Sequence, residues 1–162
     1  MTIKNKSKRY CNRVAVAIVA GLLLTACSGE PAEPLAPGQA EYQKYCSSCH
    51  GKSGEGRSRS FPPLQGSEWL ELGPDAVALV VLRGLRGKIE VAGTTYRGYM
   101  PTMRQAGDAE IAALLGYISG AWAQWPGVPN AARIGQLRAG VGGAGPFESR
   151  AELERQLEQS AP

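Results

Sequence analysis

Histidine occurs once in these 162 residues, at His50, which rules out any metal centre taking two imidazoles from one chain. Cysteine is nearly as scarce. Of the four, only Cys46 and Cys49 stand beside His50, and no second Cys or His pair exists to complete a closed four-ligand zinc site. A membrane-spanning helix needs about 20 apolar residues, and the run at residues 14–24 has only eleven. The Gly-Lys-Ser triplet at 51–53 resembles the end of a phosphate-binding loop, but the glycine required five residues before Gly51 is replaced by Cys46. No run of β-branched residues precedes Cys46, so the strand expected ahead of a redox dithiol is missing. The sequence also lacks internal repeats.

What the chain does have begins with an export pattern. Lys4, Lys6, Lys8, Arg9 and Arg13 precede the apolar run without an intervening acid, and a small-residue exit follows. That exit, Leu-Thr-Ala-Cys at 24–27, resembles the lipobox of bacterial lipoproteins. The resemblance implies a signal peptide over residues 1–26 and lipid attachment at Cys27. Removing the signal takes five basic residues with it, leaving thirteen basic against fourteen acidic. The net charge of +4 therefore belongs to the precursor and gives no reason to expect a nucleic-acid partner. Residues 27–37, rich in proline and glutamate, read as an extended tether.

With Cys11 in the signal and Cys27 lipidated, Cys46 and Cys49 are left together in Tyr-Cys-Ser-Ser-Cys-His-Gly at 45–51. C-x-x-C-H is the signature of covalent c-type haem attachment. Two thiols three residues apart lie on one side of a helical turn, where each can add to one porphyrin vinyl group, and the adjacent imidazole reaches the iron. The candidates for a sixth iron ligand are few. Met1 leaves with the signal, and Met100 and Met103 remain, in Tyr-Arg-Gly-Tyr-Met-Pro-Thr-Met at 96–103. Thioether sulfur favours ferrous iron and raises the potential. Pro101 holds Met100 extended and Gly98 lets a loop lie close to the ring, so Met100 is the expected ligand and Met103 the alternative.

The segment 38–126 resembles the class I c-type cytochromes. Gly38, Tyr42, Cys46, Cys49 and His50 match the family's first helix with its attachment motif, and Phe-Pro-Pro-Leu-Gln-Gly-Ser at 61–67 resembles its proline loop. The resemblance implies that the Pro62 carbonyl accepts the Nδ1 proton of His50. It further implies an all-α cytochrome c fold wrapped around one covalent haem c, with a short β-hairpin before the ligand methionine. Relatives of this type act as cytochrome subunits or partners of membrane-bound dehydrogenases and oxidases. Gly107 stands where a serine cap is usual, and the chain after Pro126 is less typical.

The residues give the same plan. Pro74 suits the first turn of a helix striped by Leu79, Val80 and Leu82. Residues 88–98 alternate and turn at Ala92 and Gly93, as a hairpin does. Asp108 or Gly107 caps a helix bearing Ile111, Leu114, Leu115 and Ile118 on one face, and Tyr117 is expected to cross Gly38. Tyr42, Tyr117 and Trp122 read as core, while Trp69, Tyr96 and Arg97 are candidates for the haem border. Residues 127–162 form an extension with one or two helices; Ser149 and Glu152 make a capping-box pattern ahead of Leu153 and Leu157. Arg57 and Arg59, with Arg83, Arg86 and Lys88, are either a docking face or an ordinary solvated one.

These readings converge on a lipid-anchored, periplasm-facing electron carrier of the bacterial cell envelope. Its partners would be redox proteins, such as a dehydrogenase, an oxidase or another cytochrome, together with the membrane reached through Cys27. No general base or nucleophile is expected, so the protein is not read as an enzyme in itself. A fixed cytochrome subunit of a dehydrogenase or oxidase complex is the alternative, followed by an open-iron haem enzyme or gas sensor.

Overall fold

The computed structural model describes residues 33–161. The expected signal at 1–26 and the lipidation site Cys27 lie outside the described residues.

Helix α1 (Gln39–Tyr45) starts after Gly38, whose φ of 77° suits a residue without a side chain. The close crossing of helices also requires glycine there. A Cβ at Gly38 would lie 2.0 Å from the Ala113 carbonyl oxygen and 3.1 Å from Tyr117 Cβ, so the expected meeting of Gly38 and Tyr117 is present. After a break at Cys46 the chain re-enters a single turn, α2 (Ser47–His50).

Helix α3 (Pro74–Arg83) places proline in its first turn, where the missing N–H has no helical acceptor to lose. It buries Ala76, Ala78, Leu79, Val81 and Leu82, and Gly84 ends it at φ 79°. Strands β1 (Leu85–Val91) and β2 (Thr94–Met100) pair antiparallel, from Leu85 opposite Met100 to Val91 opposite Thr94. The turn falls at Ala92 and Gly93, both at positive φ (48° and 71°), as a two-residue hairpin turn requires. The hairpin is longer than the alternation over 88–98 implies, because mixed burial at its base hides the period. Met100 consequently ends a strand instead of lying in a free loop.

Helix α4 (Asp108–Ile118) is capped by Gly107, whose N–H donates to Glu110 Oε2 at 2.8 Å; without a side chain, Gly107 makes only this half of a capping box. Glu110 also accepts from Lys44 (2.9 Å) and Tyr45 (3.0 Å). These bonds, led by Lys44, hold its carboxyl at about 2, well below the usual carboxylate range. A π-helical turn, Ser119–Ala123, follows α4. It carries Trp122 into a cluster with Tyr42 and Tyr117, with ring centroids 5.2 to 5.7 Å apart. The rings are tilted or edge-on to one another, avoiding the face-to-face stacking that aromatic quadrupoles disfavour.

Two more helices complete the described residues: α5 (Ala131–Val141), capped by Asn130, and α6 (Arg150–Gln159), capped by Ser149. Ile134, Leu137, Val141, Phe147 and Leu153 belong to the same buried cluster as Tyr42, Leu79 and Ile111, so the core runs across the 126/127 line. Helix α3 sits at the centre, touching α4, α5 and α6.

Gly38→Ala adds left-handed backbone strain to a collision with α4. Together these should cost about 3 kcal/mol, at the upper end of overpacking effects. Chemical unfolding of the holoprotein measures this, and a loss below about 1 kcal/mol would contradict so close a crossing.

Candidate haem site

The loop after His50 returns to it. Gly51, Gly54 and Gly56 all have positive φ, between 73° and 84°. At Gly56 a Cβ would strike the Phe61 carbonyl oxygen and Pro63 nitrogen at 2.7 Å, and at Gly54 it would strike the Trp122 ring. The Gly56 N–H donates to the His50 carbonyl (2.7 Å), and the Leu64 N–H donates to the Gly54 carbonyl (2.8 Å). Tyr42 anchors the other side, donating from its hydroxyl to the Gly51 carbonyl at 2.6 Å. This folding brings the Pro62 carbonyl oxygen within 2.8 Å of His50 Nδ1.

The Pro62 carbonyl can only accept, so the neutral imidazole must carry its proton on Nδ1. Nε2 is left with a free lone pair, and it has no hydrogen-bond partner among the described residues. Burial lowers the His50 pKa from its ordinary value, and the bond to Pro62 opposes this in part. The ring is therefore neutral near pH 7 and suited to donate to a metal. Burial pushes the Cys46 thiol up to about 12, so it stays protonated. That is a poor state for a redox thiolate or a zinc ligand. Among the described residues no group of three or more His, Cys, Asp or Glu side chains is placed to hold a metal ion.

Met100 is fixed by its surroundings. A Cβ on Gly84 would lie 2.5 Å from the Met100 carbonyl oxygen, so only glycine allows the end of α3 to come this close. Beyond it, Thr102 Oγ1 donates to the Leu82 carbonyl (2.6 Å) and the Met103 N–H to that of Val81 (2.8 Å).

Two open clefts, of about 690 and 710 Å³, flank these residues. Six residues wall both: Cys46, His50, Pro62, Leu85, Ile89 and Met100. Cys49 and Met103 line only the first. The remaining walls are largely apolar, with Phe61, Tyr96 and Tyr99 on one side and Leu70, Val77 and Val80 on the other. Thus Cys46, Cys49, His50, Pro62 and Met100 are all brought to one crevice. A flat apolar ring with a central metal fits this chemistry: two thiols for attachment, an imidazole with a free nitrogen, and a thioether.

The haem-border candidates divide. Tyr96 and Trp69 line the crevice, but the Trp69 indole N–H is committed to the Glu90 carbonyl at 3.0 Å. Arg97 is exposed and lines neither cleft. The proposed basic groups change as well. Arg83 is buried, with 7% exposure, so it is part of the structure and not of a solvated face. Arg86 is paired with Glu148, and Lys88 with Glu90. Leu85 and Ile89, at the root of the hairpin, were not foreseen as walls. Alternation over β1, which puts Leu85, Gly87, Ile89 and Val91 on one face, is the signal that would have marked both.

A helical shell with a hairpin around such a crevice, carrying C-x-x-C-H, defines a c-type haem protein. The comparisons agree. The family model described as cytochrome c oxidase, cbb3-type, subunit III matches residues 33–118. A cytochrome c-552 of Thermus thermophilus is 38% identical over 113 residues, covering 67% of this chain and 70% of that protein. A second cytochrome c-552 of the same species is 44% identical over 87 residues, covering 51% of this chain and 66% of that protein. The chain belongs to the class I c-type cytochromes, whose cofactor is covalently bound haem c and whose work is electron transfer.

Replacing both thiols, as Cys46→Ala/Cys49→Ala, should give a chain without covalent haem and without compact tertiary structure, because the crevice then stands empty at the centre of a small core. Absorbance on a denaturing gel and near-ultraviolet circular dichroism test the two parts. A compact apoprotein would contradict the second.

Proposed function

We propose that this protein is a one-electron carrier with a single haem, ligated by His50 and Met100. In this reading lipid on Cys27 anchors it to a bacterial envelope membrane, facing the periplasm. The observation carrying the ligand assignment is the shared wall: Met100 borders both clefts together with His50, and Met103 borders only one. The Gln105 amide also approaches the Met103 sulfur at 3.7 Å. The anchor rests on the Leu-Thr-Ala-Cys exit after the short apolar run.

When bound, the haem supplies a reversible one-electron couple at iron. The chain's residues set its conditions. Pro62 fixes the imidazole plane and strengthens His50 as a donor. The Met100 thioether favours the ferrous state. The apolar walls would keep water away, and Met100 bound to the iron would exclude peroxide and oxygen. No residue has to move a proton.

Partners in this reading are larger redox proteins: a dehydrogenase, an oxidase or another cytochrome. The match to a model described as an oxidase subunit supports a second reading, in which the protein is a fixed subunit of such a complex. Copurification from mild detergent extracts separates a free carrier from a subunit.

Met100→Ala should abolish the near-infrared sulfur-to-iron band of the ferric protein and open the iron to cyanide, while Met103→Ala should keep the band. Retention of the band in Met100→Ala would move the assignment to Met103.

Lipoprotein modification adds several acyl chains, each contributing about 0.8 kcal/mol per buried methylene. Cys27→Ser should therefore release the haem domain to the soluble periplasmic fraction or leave an unprocessed precursor, with an unchanged visible spectrum. Sedimentation of the processed variant with membranes at high salt would transfer retention from lipid to a bound partner.

A further inference from the structure

The family match ends at residue 118, yet a residue far beyond it reaches the haem crevice. Leu153, on α6 and 1% exposed, lines the second cleft together with Cys46, His50 and Met100. The segment leading to it is fastened to the root of the hairpin. Arg86 N–H donates to the Phe147 carbonyl (2.8 Å) and Phe147 N–H to the Gly84 carbonyl (3.1 Å), forming a parallel bridge beside Leu85, itself a wall of both clefts.

One buried side chain ties this segment down at three points. Arg83 donates from Nε to the Gly145 carbonyl (2.8 Å) and from its terminal nitrogen to Glu152 Oε1 (2.6 Å). Its guanidinium also lies 3.8 Å from the centre of the Phe147 ring. The second carboxylate oxygen of Glu152 accepts from the Glu148 N–H at 2.9 Å. A buried cation left without these partners would be costly, so Arg83 holds the segment in one seat.

We propose that the C-terminal segment is a working wall of the haem crevice, in which Leu153 keeps water from the cofactor and so raises its reduction potential, with Arg83 and Glu152 as positioning residues that seat α6. The inference rests on the electron-carrier reading above. Its physical basis is charge. With the porphyrin dianion, ferric iron leaves a net positive charge and ferrous iron none, so a dry apolar wall disfavours the ferric state. Loss of the wall admits water, stabilises the ferric state and lowers the potential when one electron is titrated in from a mediator.

The test uses the full-length holoprotein and measures midpoint potential, unfolding and the near-infrared band together. Leu153→Asn keeps the branched, four-heavy-atom outline of the side chain while making the wall polar. It should shift the ferrous-to-ferric ratio at fixed solution potential by up to about tenfold towards ferric, equal to about 59 mV for one electron. Leu137→Ala is the control: Leu137 is as buried as Leu153 but lines neither cleft, so this change should destabilise the protein and leave the potential alone.

Arg83→Met and Glu152→Gln decide the matter independently, including where Leu153→Asn does not fold. Direct charge effects would move their potentials in opposite directions, since one loses a cation and the other an anion. Unseating a common wall lowers both. Opposite shifts, or a folded Leu153→Asn protein with the wild-type potential, would overturn the proposal. The band distinguishes this failure from that of the parent reading: its absence in the wild-type protein removes Met100 as ligand, whereas its presence with unmoved potentials removes only the wall.

Discussion

The bond between His50 Nδ1 and the Pro62 carbonyl is the constraint on which the rest of the site depends. It fixes the imidazole tautomer and ring plane, and it forces the intervening residues into a closed loop. That loop is feasible only because glycines occupy positions where the backbone turns left-handed or passes within contact of another chain segment. The aromatic cluster of Tyr42, Tyr117 and Trp122 supports it from outside, with Tyr42 bonded to Gly51 and Trp122 packed on Gly54. Core packing and the orientation of His50 are therefore coupled: the helix crossing at Gly38 aligns Tyr42, which aligns the loop, which aligns His50.

The other wall is built by a different device. Met100 ends β2, and its place is set by the register with Leu85, by the bare backbone of Gly84 and by ties to the last carbonyls of α3. A hairpin alone is marginally stable in water. Here its root is packed against α3 and bridged to Phe147, so the methionine rides on an element with little freedom to move. A site of this kind needs no titrating base, and a neutral histidine suits chemistry that consists of holding a cofactor in place.

Much of this was legible in the sequence because the signals were local. C-x-x-C-H, the proline loop, Pro74 at a helix start and the Ala92-Gly93 turn each announce themselves within a few residues. So do the apolar stripe of α4 and the Ser149 cap. What was not legible depended on distant partners. Arg83 looks like a surface charge until Glu152, Gly145 and Phe147 are placed around it, more than sixty residues later in the chain. Arg97 looked available for the cofactor, but it is exposed and borders neither cleft. The extent of the hairpin was hidden because its base pairs a buried leucine with a half-buried methionine, a pattern without a clean period of two. Residues after 126 look like an appendage by composition, and only packing reveals that Phe147 and Leu153 complete the core.

The central claim is that one crevice presents an imidazole nitrogen and a thioether sulfur to the same iron. X-ray absorption at the iron edge of the wild-type ferric and ferrous protein tests it most directly. The account predicts one sulfur scatterer in the first shell beside the porphyrin and imidazole nitrogens, in both oxidation states. A first shell of nitrogen and oxygen alone, or one lacking a sixth scatterer, would contradict it.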